Sequence, residues 1–295
     1  MRIKDLYQQK PVISLEVFPP KPEALLDGVL DTIEALSDLR PDFISVTYGA
    51  AGGSKAHTVQ IADTIKNKYG IEALAHLTCI NSSKEEVDGI LEELENSNIE
   101  NIMALRGDRP ADESLLSSVK DDFEYASDLI VHLKTTGNFC IGAACYPEVH
   151  PEAENALADL GNLKRKVNAG VDFLITQLFL DNRFFYAFRE KLALMELKVP
   201  VSAGIMPVIN KKQIERITSL CGASIPPKFR RILDKYENDP EALKEAGIAY
   251  ATEQIIDLLS NDVDGIHLYT MNKPEVARGI IGQIGRIREF LRDGV

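Results

Sequence analysis

The segment Val12-Ile13-Ser14-Leu15-Glu16-Val17-Phe18 and the stretch that follows it decide the predicted fold. The segment is mostly apolar, with three β-branched residues, which is typical of a strand buried on both faces. Apolar residues then recur at helical spacing from Leu25 to Leu36, which predicts an amphipathic helix. A later helix is predicted to begin at a capping box formed by Ser82 and Glu85.

The same strand-and-helix unit recurs along the 295 residues of the chain. The predicted strands are Val12–Phe18, Phe43–Thr47, Ala73–Cys79, Ile102–Leu105, Cys140–Cys145, Phe173–Leu178, Val201–Ile205 and Gly265–Tyr269. Alternation of this kind indicates parallel pairing through crossover helices, in either an open doubly wound sheet or a closed barrel. Eight repeats at this length favour a (β/α)8 TIM barrel. The prediction is an α/β fold with a single domain over residues 1–295.

The interval between the seventh and eighth strands is longer than the others. It contains three helical stretches, and extra helices are therefore predicted there. These stretches are Lys211–Leu220, Lys228–Tyr236 and Glu241–Ser260.

The charge balance and the cysteines exclude several classes of protein. The chain has 33 Lys and Arg residues and 45 Asp and Glu residues, which gives a net charge of -12. Because no long basic run offsets this negative charge, nucleic acid and anionic membranes are not expected as partners. No apolar run approaches the roughly 20 residues that span a bilayer, and the first residues do not resemble a signal peptide. Four cysteines without metal-ligand or framework spacing predict a cytoplasmic protein with reduced thiols and no metal site.

Polar residues stand at the ends of several predicted strands, where barrel enzymes place their chemistry. They are Glu16, Thr47-Tyr48, His76, Arg106-Gly107-Asp108, Tyr146 to His150, Thr176-Gln177 and His267 to Thr270. Each has a plain structural explanation: Glu16 as a buried partner of Arg106, His76 as a core histidine, and Arg106 to Asp108 as a salt-bridged turn. Together they predict one site, because burying unpaired polar groups costs about 1–3 kcal/mol each.

A helix after the fifth strand carries a second polar cluster. Asn162 lies three and four residues before Arg165 and Lys166, so these side chains can act on one ligand. A solvated basic face is the alternative. With Tyr146 and His150 just upstream, the cluster predicts a site for a phosphate-bearing ligand.

Six motifs in order resemble one known family. They are Glu16 before Phe18-Pro19-Pro20, Val46-Thr47-Tyr48-Gly49-Ala50, His76-Leu77-Thr78-Cys79, Ala104-Leu105-Arg106-Gly107-Asp108, Tyr146-Pro147-Glu148-Val149-His150-Pro151, and Thr176-Gln177. Together they closely resemble the bacterial methylenetetrahydrofolate reductases, which are flavin-containing (β/α)8 barrels. The resemblance extends from about Glu16 to Lys273.

The resemblance implies a flavoprotein oxidoreductase of one-carbon metabolism and methionine synthesis. NADH or NADPH would give a hydride to FAD, and methylenetetrahydrofolate would then receive it in a ping-pong scheme, forming methyltetrahydrofolate. Glu16 would be the general acid, with a pKa raised by its apolar neighbours Val17, Phe18 and Pro19. Asp108 would hold the pterin and stabilise the iminium ion.

The resemblance also implies the binding residues. Those that line the FAD would be Tyr48, Ala50, His76, Arg106, Gly107, Asp108, Ala126, Tyr146, His150, Ala153, Asp159, Asn162, Arg165 and Lys166. Thr47 would contact the nicotinamide nucleotide. Besides Asp108, the folate would contact Gln177, Gln213, Tyr269 and Lys273.

Two positions depart from the family pattern. Ile217 stands where relatives often have a Phe that packs on the substrate, and Lys273 stands where they have an Arg. Lys keeps the charge but loses the bidentate fork. The competing interpretations are a folate-dependent methyltransferase barrel and an accessory, non-catalytic barrel. The choice between NADH and NADPH stays open, as does the oligomeric state, although acidic barrels are often homo-oligomers.

Overall fold

The computed structural model describes residues 1–8, 11–20, 26–48, 55–80, 82–107 and 122–293. Its centre is a closed barrel of eight parallel strands in chain order, with β1 paired to both β2 and β8. The strands are β1 Val12–Val17, β2 Phe43–Val46, β3 Glu72–Thr78, β4 Asn101–Leu105, β5 Cys140–Cys145, β6 Phe173–Thr176, β7 Val201–Ile205 and β8 Gly265–Tyr269. The predicted α/β barrel is confirmed.

Helices surround the barrel and connect its strands. They are α1 Ile3–Leu6, α2 Asp27–Ser37, α3 Lys55–Asp63 with a wider turn at Thr64–Lys68, α4 Lys84–Asn96, α5 Ala126–Thr136, α6 Ala156–Asn168, α7 Asn182–Leu194, α8 Lys211–Cys221, α9 Pro227–Tyr236, α10 Pro240–Ser260 and α11 Pro274–Asp293. The three extra helices between β7 and β8 are α8, α9 and α10, as predicted. Within the described ranges, no helix is both long and apolar enough to cross a membrane.

The capping box of α4 lies one residue later than predicted. Ser83, not Ser82, is the N-cap: its Oγ accepts from the backbone N–H of Glu86 at 3.2 Å, and the Glu86 carboxylate accepts from the N–H of Ser83 at 3.0 Å. Ser82 is buried, and its N–H donates to the carbonyl of Cys79. The reciprocal pair satisfies two N–H groups that a helix start leaves unpaired.

The amino-terminal end of the barrel is filled by aromatic side chains. Tyr7 is buried with its hydroxyl 2.8 Å from that of Ser202, and its ring lies 5.7 Å from that of Phe173. Phe43 packs 6.2 Å from Phe173 in the same apolar cluster. Among the described residues, this cluster fills the lower interior of the barrel.

The top of the barrel requires glycine at position 204 on β7. A Cβ there would lie 2.2 Å from the carbonyl oxygen of Thr176 and 2.7 Å from the hydroxyl of Tyr269. Neither neighbour is free to move away, since the first belongs to the backbone of β6 and the second donates a 2.6 Å hydrogen bond to that carbonyl.

Replacing Gly204 with Ala is therefore expected to lower the free energy of unfolding by about 1–3 kcal/mol, the usual cost of overpacking. Urea unfolding followed by circular dichroism measures the change. Gly89→Ala is the matched control, because it lies within α4 with nothing within 4 Å of the new Cβ. That variant is expected to be about 0.5–1 kcal/mol more stable. Equal stability of Gly204→Ala and the native chain would contradict the expectation.

Candidate functional site

A cavity of about 660 Å³ opens at the carboxyl ends of the strands. Its lining includes residues from β1, β3, β6 and β8 and from the loops that follow the strands. Of the residues predicted for the site, it brings together Glu16, Thr47, Tyr48, His76, Arg106, Gly107, Ala126, Tyr146, His150, Lys166, Gln177 and Tyr269. The convergence of polar strand ends on one face is therefore observed.

The carboxyl group of Glu16 is surrounded by polar groups from three other strands. Its Oε2 lies 3.4 Å from Nε2 of His267 on β8 and 3.7 Å from Nε2 of His76 on β3. The hydroxyl of Ser45 on β2 donates to the same oxygen at 3.4 Å. One carboxylate oxygen thus faces two imidazoles and a hydroxyl within the barrel.

The pKa of Glu16 is shifted opposite to the prediction. Burial raises it, but the hydrogen bond from His267, the electrostatic interactions with His76 and His267, and the Ser45 hydroxyl together lower it by more. The net result is a pKa below the ordinary value for Glu. The prediction from the apolar neighbours was wrong because Val17 is buried away in the core and Phe18 is exposed, so neither determines the surroundings of the carboxyl group.

His76 is held neutral. Burial lowers its pKa to about 4, although the nearby Glu16 carboxylate acts in the other direction. Its Nε2 is buried and makes no hydrogen bond with any residue that the structure describes. A buried nitrogen of this kind is costly unless a ligand or water pairs with it, which sets His76 apart from an ordinary core histidine.

Arg106 does not pair with Glu16. Its guanidinium forms a bidentate pair with Glu152, with nitrogen–oxygen distances of 2.7 and 2.9 Å. This excludes the simplest structural explanation of Glu16, namely a buried ion pair with Arg106. Nearby, the rings of Tyr146 and His150 meet edge to face at 4.5 Å, and the His150 N–H donates to the Asp159 carboxylate at 3.2 Å.

Helix α6 divides its polar residues between the cavity and the rim. Nζ of Lys166 donates to the carbonyl oxygen of Ala144 at 2.7 Å and lines the cavity, and burial lowers the pKa of this lysine. Arg165 and Asn162 are exposed and bond to each other. Lys166 alone of these three side chains lines the cavity.

Four other predicted residues are outside the lining. Ala153 follows His150 in a turn, with its N–H donating to the His150 carbonyl at 2.9 Å, and Asp159 supports the His150 backbone as described above. Gln213 lies in the first turn of α8, and Lys273 is exposed beyond β8. Ala50 and Asp108 lie outside the described residues.

Comparison with known proteins identifies the family. The family model for methylenetetrahydrofolate reductase matches residues 2–285. The chain belongs to the methylenetetrahydrofolate reductase family.

Individual relatives agree with this assignment. The chain is 39% identical over 273 residues to 5,10-methylenetetrahydrofolate reductase of Pectobacterium carotovorum subsp. carotovorum, covering 92% of this chain and 90% of that one. It is 34% identical over 300 residues to methylenetetrahydrofolate reductase (NADH) 1 of Arabidopsis thaliana, covering 98% of this chain and 51% of the plant protein. Among solved structures, an uncharacterized Clostridium thermocellum protein that binds two copies of 5-methyl-5,6,7,8-tetrahydrofolic acid shares the fold, with a TM-score of 0.68, 15% identity and coverage of 98% of this chain and 99% of that one.

One wall of the reductase-family cavity is apolar and was largely missed by sequence reasoning. It is formed by Leu178, Met206, Ile217 and Met271. Of these four residues, only Ile217 is singled out by the sequence analysis, as a departure from the family pattern. The others lie just beyond strand ends, where apolar residues give no signal in a sequence.

Two buried polar residues beside the cavity, Ser14 and Ser45, were also missed, whereas His267 belongs to one of the predicted polar strand ends and lines the cavity. All three side chains are fully buried inside the barrel. Ser14 lies two residues before Glu16, and Ser45 lies two before Thr47. Because alternate residues of a strand face the same side, this spacing was the signal that could have found them.

The buried neutral state of His76 predicts a pH dependence of stability. The folded pKa of about 4 lies below the unfolded value of about 6.5. Between these values the unfolded chain binds more protons at this residue, so stability is present above pH 6.5 and is lost as the pH falls toward 4.

Replacing His76 with Gln is expected to remove this dependence. The unfolding free energy of the native chain should fall by up to about 3 kcal/mol more than that of the variant between pH 6.5 and pH 4. Urea titrations at a series of pH values measure the difference. Parallel curves for the two proteins would contradict a neutral buried His76.

Proposed function

We propose that the protein reduces methylenetetrahydrofolate to methyltetrahydrofolate, taking a hydride from NADH or NADPH through FAD in a ping-pong scheme. The observation that carries this proposal is the Glu16 carboxyl group at the base of an open cavity in a chain of this family. The reaction consumes one proton per turnover, and Glu16 is a titratable group that lines this cavity. One-carbon metabolism and methionine synthesis in the cytoplasm are the proposed setting.

The polar wall of the cavity fits FAD. The hydroxyl of Tyr48 and Nε2 of His76 are buried without a hydrogen-bond partner among the described residues, so a ligand that pairs with them relieves a cost. Lys166 and Arg106 provide positive charge beside the cavity, which suits a pyrophosphate. FAD when bound supplies a reversible acceptor and donor of hydride. The proposed FAD contacts are the fourteen residues that the family resemblance implies, with Asp159 acting through His150 and with Ala153, Asn162 and Arg165 contacting FAD from outside the cavity lining.

Glu16 is proposed to open the folate ring. The methylene carbon can accept a hydride only after the five-membered ring opens to an iminium ion, and the departing nitrogen must then take a proton. Thr270 holds the Glu16 backbone, because its hydroxyl donates to the Glu16 carbonyl at 2.6 Å. The acid therefore projects from a fixed strand end.

The remaining contacts are proposed to orient the two substrates in turn. Oε1 of Gln177 accepts from the backbone N–H of Leu178 at 2.8 Å, so its amide N–H groups can point to the pterin. Tyr269, Lys273, Gln213 and Asp108 are proposed as further folate contacts, and Thr47 as a contact of the nicotinamide nucleotide. The apolar wall at Ile217 and Met271 excludes water from the ring faces.

The visible absorption spectrum of the purified protein tests the proposal first. A yellow protein that NADH or NADPH bleaches anaerobically, and that methylenetetrahydrofolate recolours, is the expected result. A protein that stays colourless after FAD is added would contradict it and would favour a folate-dependent methyltransferase. A bound flavin that responds to neither nucleotide would favour an accessory barrel.

Replacing Glu16 with Gln separates the two half-reactions. Gln keeps the size of the side chain but has no proton to donate, so folate reduction should fall by at least about 100-fold, the usual contribution of a general acid. Flavin bleaching by the nucleotide should persist. Anaerobic stopped-flow measurements follow each half-reaction, and a variant that reduces folate at the native rate would exclude Glu16 as the acid.

A further inference from the structure

A series of hydrogen bonds runs from Glu16 into the barrel. His267 is fully buried, and its Nε2 faces Oε2 of Glu16 at 3.4 Å. Its Nδ1 lies 2.7 Å from the hydroxyl of Ser14, which in turn lies 3.2 Å from the carbonyl oxygen of Ile266. The two ends of the imidazole are therefore engaged by different partners.

The contacts from Glu16 through His267 and Ser14 to Ile266 require a definite number of hydrogen atoms. The Ile266 carbonyl can only accept, so the Ser14 hydroxyl must donate to it, and Ser14 then accepts from Nδ1–H of His267. A neutral imidazole with its proton on Nδ1 has a bare Nε2. A bare Nε2 facing an ionised Glu16 would place two acceptors opposite each other. All three contacts are hydrogen bonds only when the Glu16–His267 pair holds one additional proton.

Alternative arrangements leave a contact without a hydrogen. If Ser14 donates to Nδ1 instead, the 3.2 Å contact between Ser14 and the Ile266 carbonyl joins two acceptors. Ser45 lies 3.4 Å from both Nε2 of His267 and Oε2 of Glu16, but it has a single hydrogen. If it donates to Nε2, no hydrogen remains between that nitrogen and the carboxylate.

We propose that His267 is a positioning residue that stores the proton which Glu16 delivers to the departing nitrogen of the folate. This inference rests on the proposed function and adds to it the origin of the proton. His267 transfers its Nε2 proton to the Glu16 carboxylate and becomes neutral, with Nδ1–H still bound to Ser14. Glu16 passes this same proton to the substrate nitrogen as the ring bond breaks. Solvent returns one proton to the pair in each turnover.

The other groups that face the pair do not store this proton. His76 is farther from Oε2, at 3.7 Å, and burial lowers its pKa to about 4. Tyr269 donates to the Thr176 carbonyl, and burial raises its pKa well above the ordinary value. The lowered pKa of Glu16 agrees with a proton that rests on the imidazole side.

Nitrogen-15 NMR of the histidine rings tests the protonation directly in the holoprotein without substrate. The chain has five histidines, so the spectrum can be assigned by single substitutions. We expect the ring of His267 to be protonated on both nitrogens in the native protein, with the Nδ1 proton bound to Ser14. Ser14→Ala should release this constraint on Nδ1. A neutral ring, protonated on only one of its nitrogens, would overturn the proposal, whether or not folate is the substrate.

Kinetics of the folate half-reaction test the role. His267→Gln places an amide donor near the position of Nε2, so the contact with Glu16 is kept. The amide cannot hold an extra proton, so the variant cannot supply one to Glu16. We expect its folate half-reaction at pH 7 to be at least 10-fold slower, with the midpoint of the decline at high pH moved down by more than one unit. Flavin reduction by the nucleotide is measured in the same samples, so a failed flavin site is recognised separately.

His132→Gln is the matched control. His132 pairs with Asp88 away from the cavity, at 2.7 Å, and its replacement should leave both half-reactions and the pH profile unchanged. If His267→Gln shows the native profile, or if it slows both half-reactions equally without a pH shift, His267 has only a structural role and the proposal is wrong.

Discussion

The lateral register between β1 and β8 is the constraint on which the site depends. It sets Ser14 opposite His267 and Glu16 opposite Tyr269. Because alternate residues of a strand share a face, both pairs point into the barrel, one above the other. A shift of one residue in either strand would turn one member of each pair outward and break the contact of Glu16 with His267. Barrel closure therefore brings Glu16 and His267 together.

The electrostatics of Glu16 follow from this register. An isolated carboxyl group buried in a barrel would favour its neutral form. Here two imidazoles and a hydroxyl face one oxygen of the carboxylate, and their combined effect exceeds that of burial. An acid with a lowered pKa needs a nearby source of protons if it is to act near neutral pH, and the imidazole of His267 is the group in contact that can hold one. Because the pKa of Glu16 is lowered, we treat Glu16 and His267 as one proton-holding pair.

Much of the fold could be predicted from the sequence because parallel strands in a barrel are buried on both faces. The predicted bounds of β5, β7 and β8 agree with the structure, and the polar strand ends do converge. Local sequence could not give the pKa shift of Glu16, since the polar groups that face its carboxylate come from other strands, His267 being 251 residues away. The sequence analysis also missed Met206 and Leu178, because the sequence does not distinguish an apolar residue that faces a ligand from one that faces the core.

The cavity has two unlike walls, and this asymmetry suits a sequential reaction. The polar wall carries Arg106 and Lys166, while the opposite wall carries Ile217 and the flexible side chains of Met206 and Met271. Charged and hydrogen-bonding groups can hold one ligand in a fixed position through both half-reactions. Unbranched apolar side chains instead adapt to ring systems of different shape, which suits the proposed use of the same space by a nicotinamide and a pterin in turn. Glu16 also lines this cavity, and in the proposed reaction only the second of these substrates needs its proton.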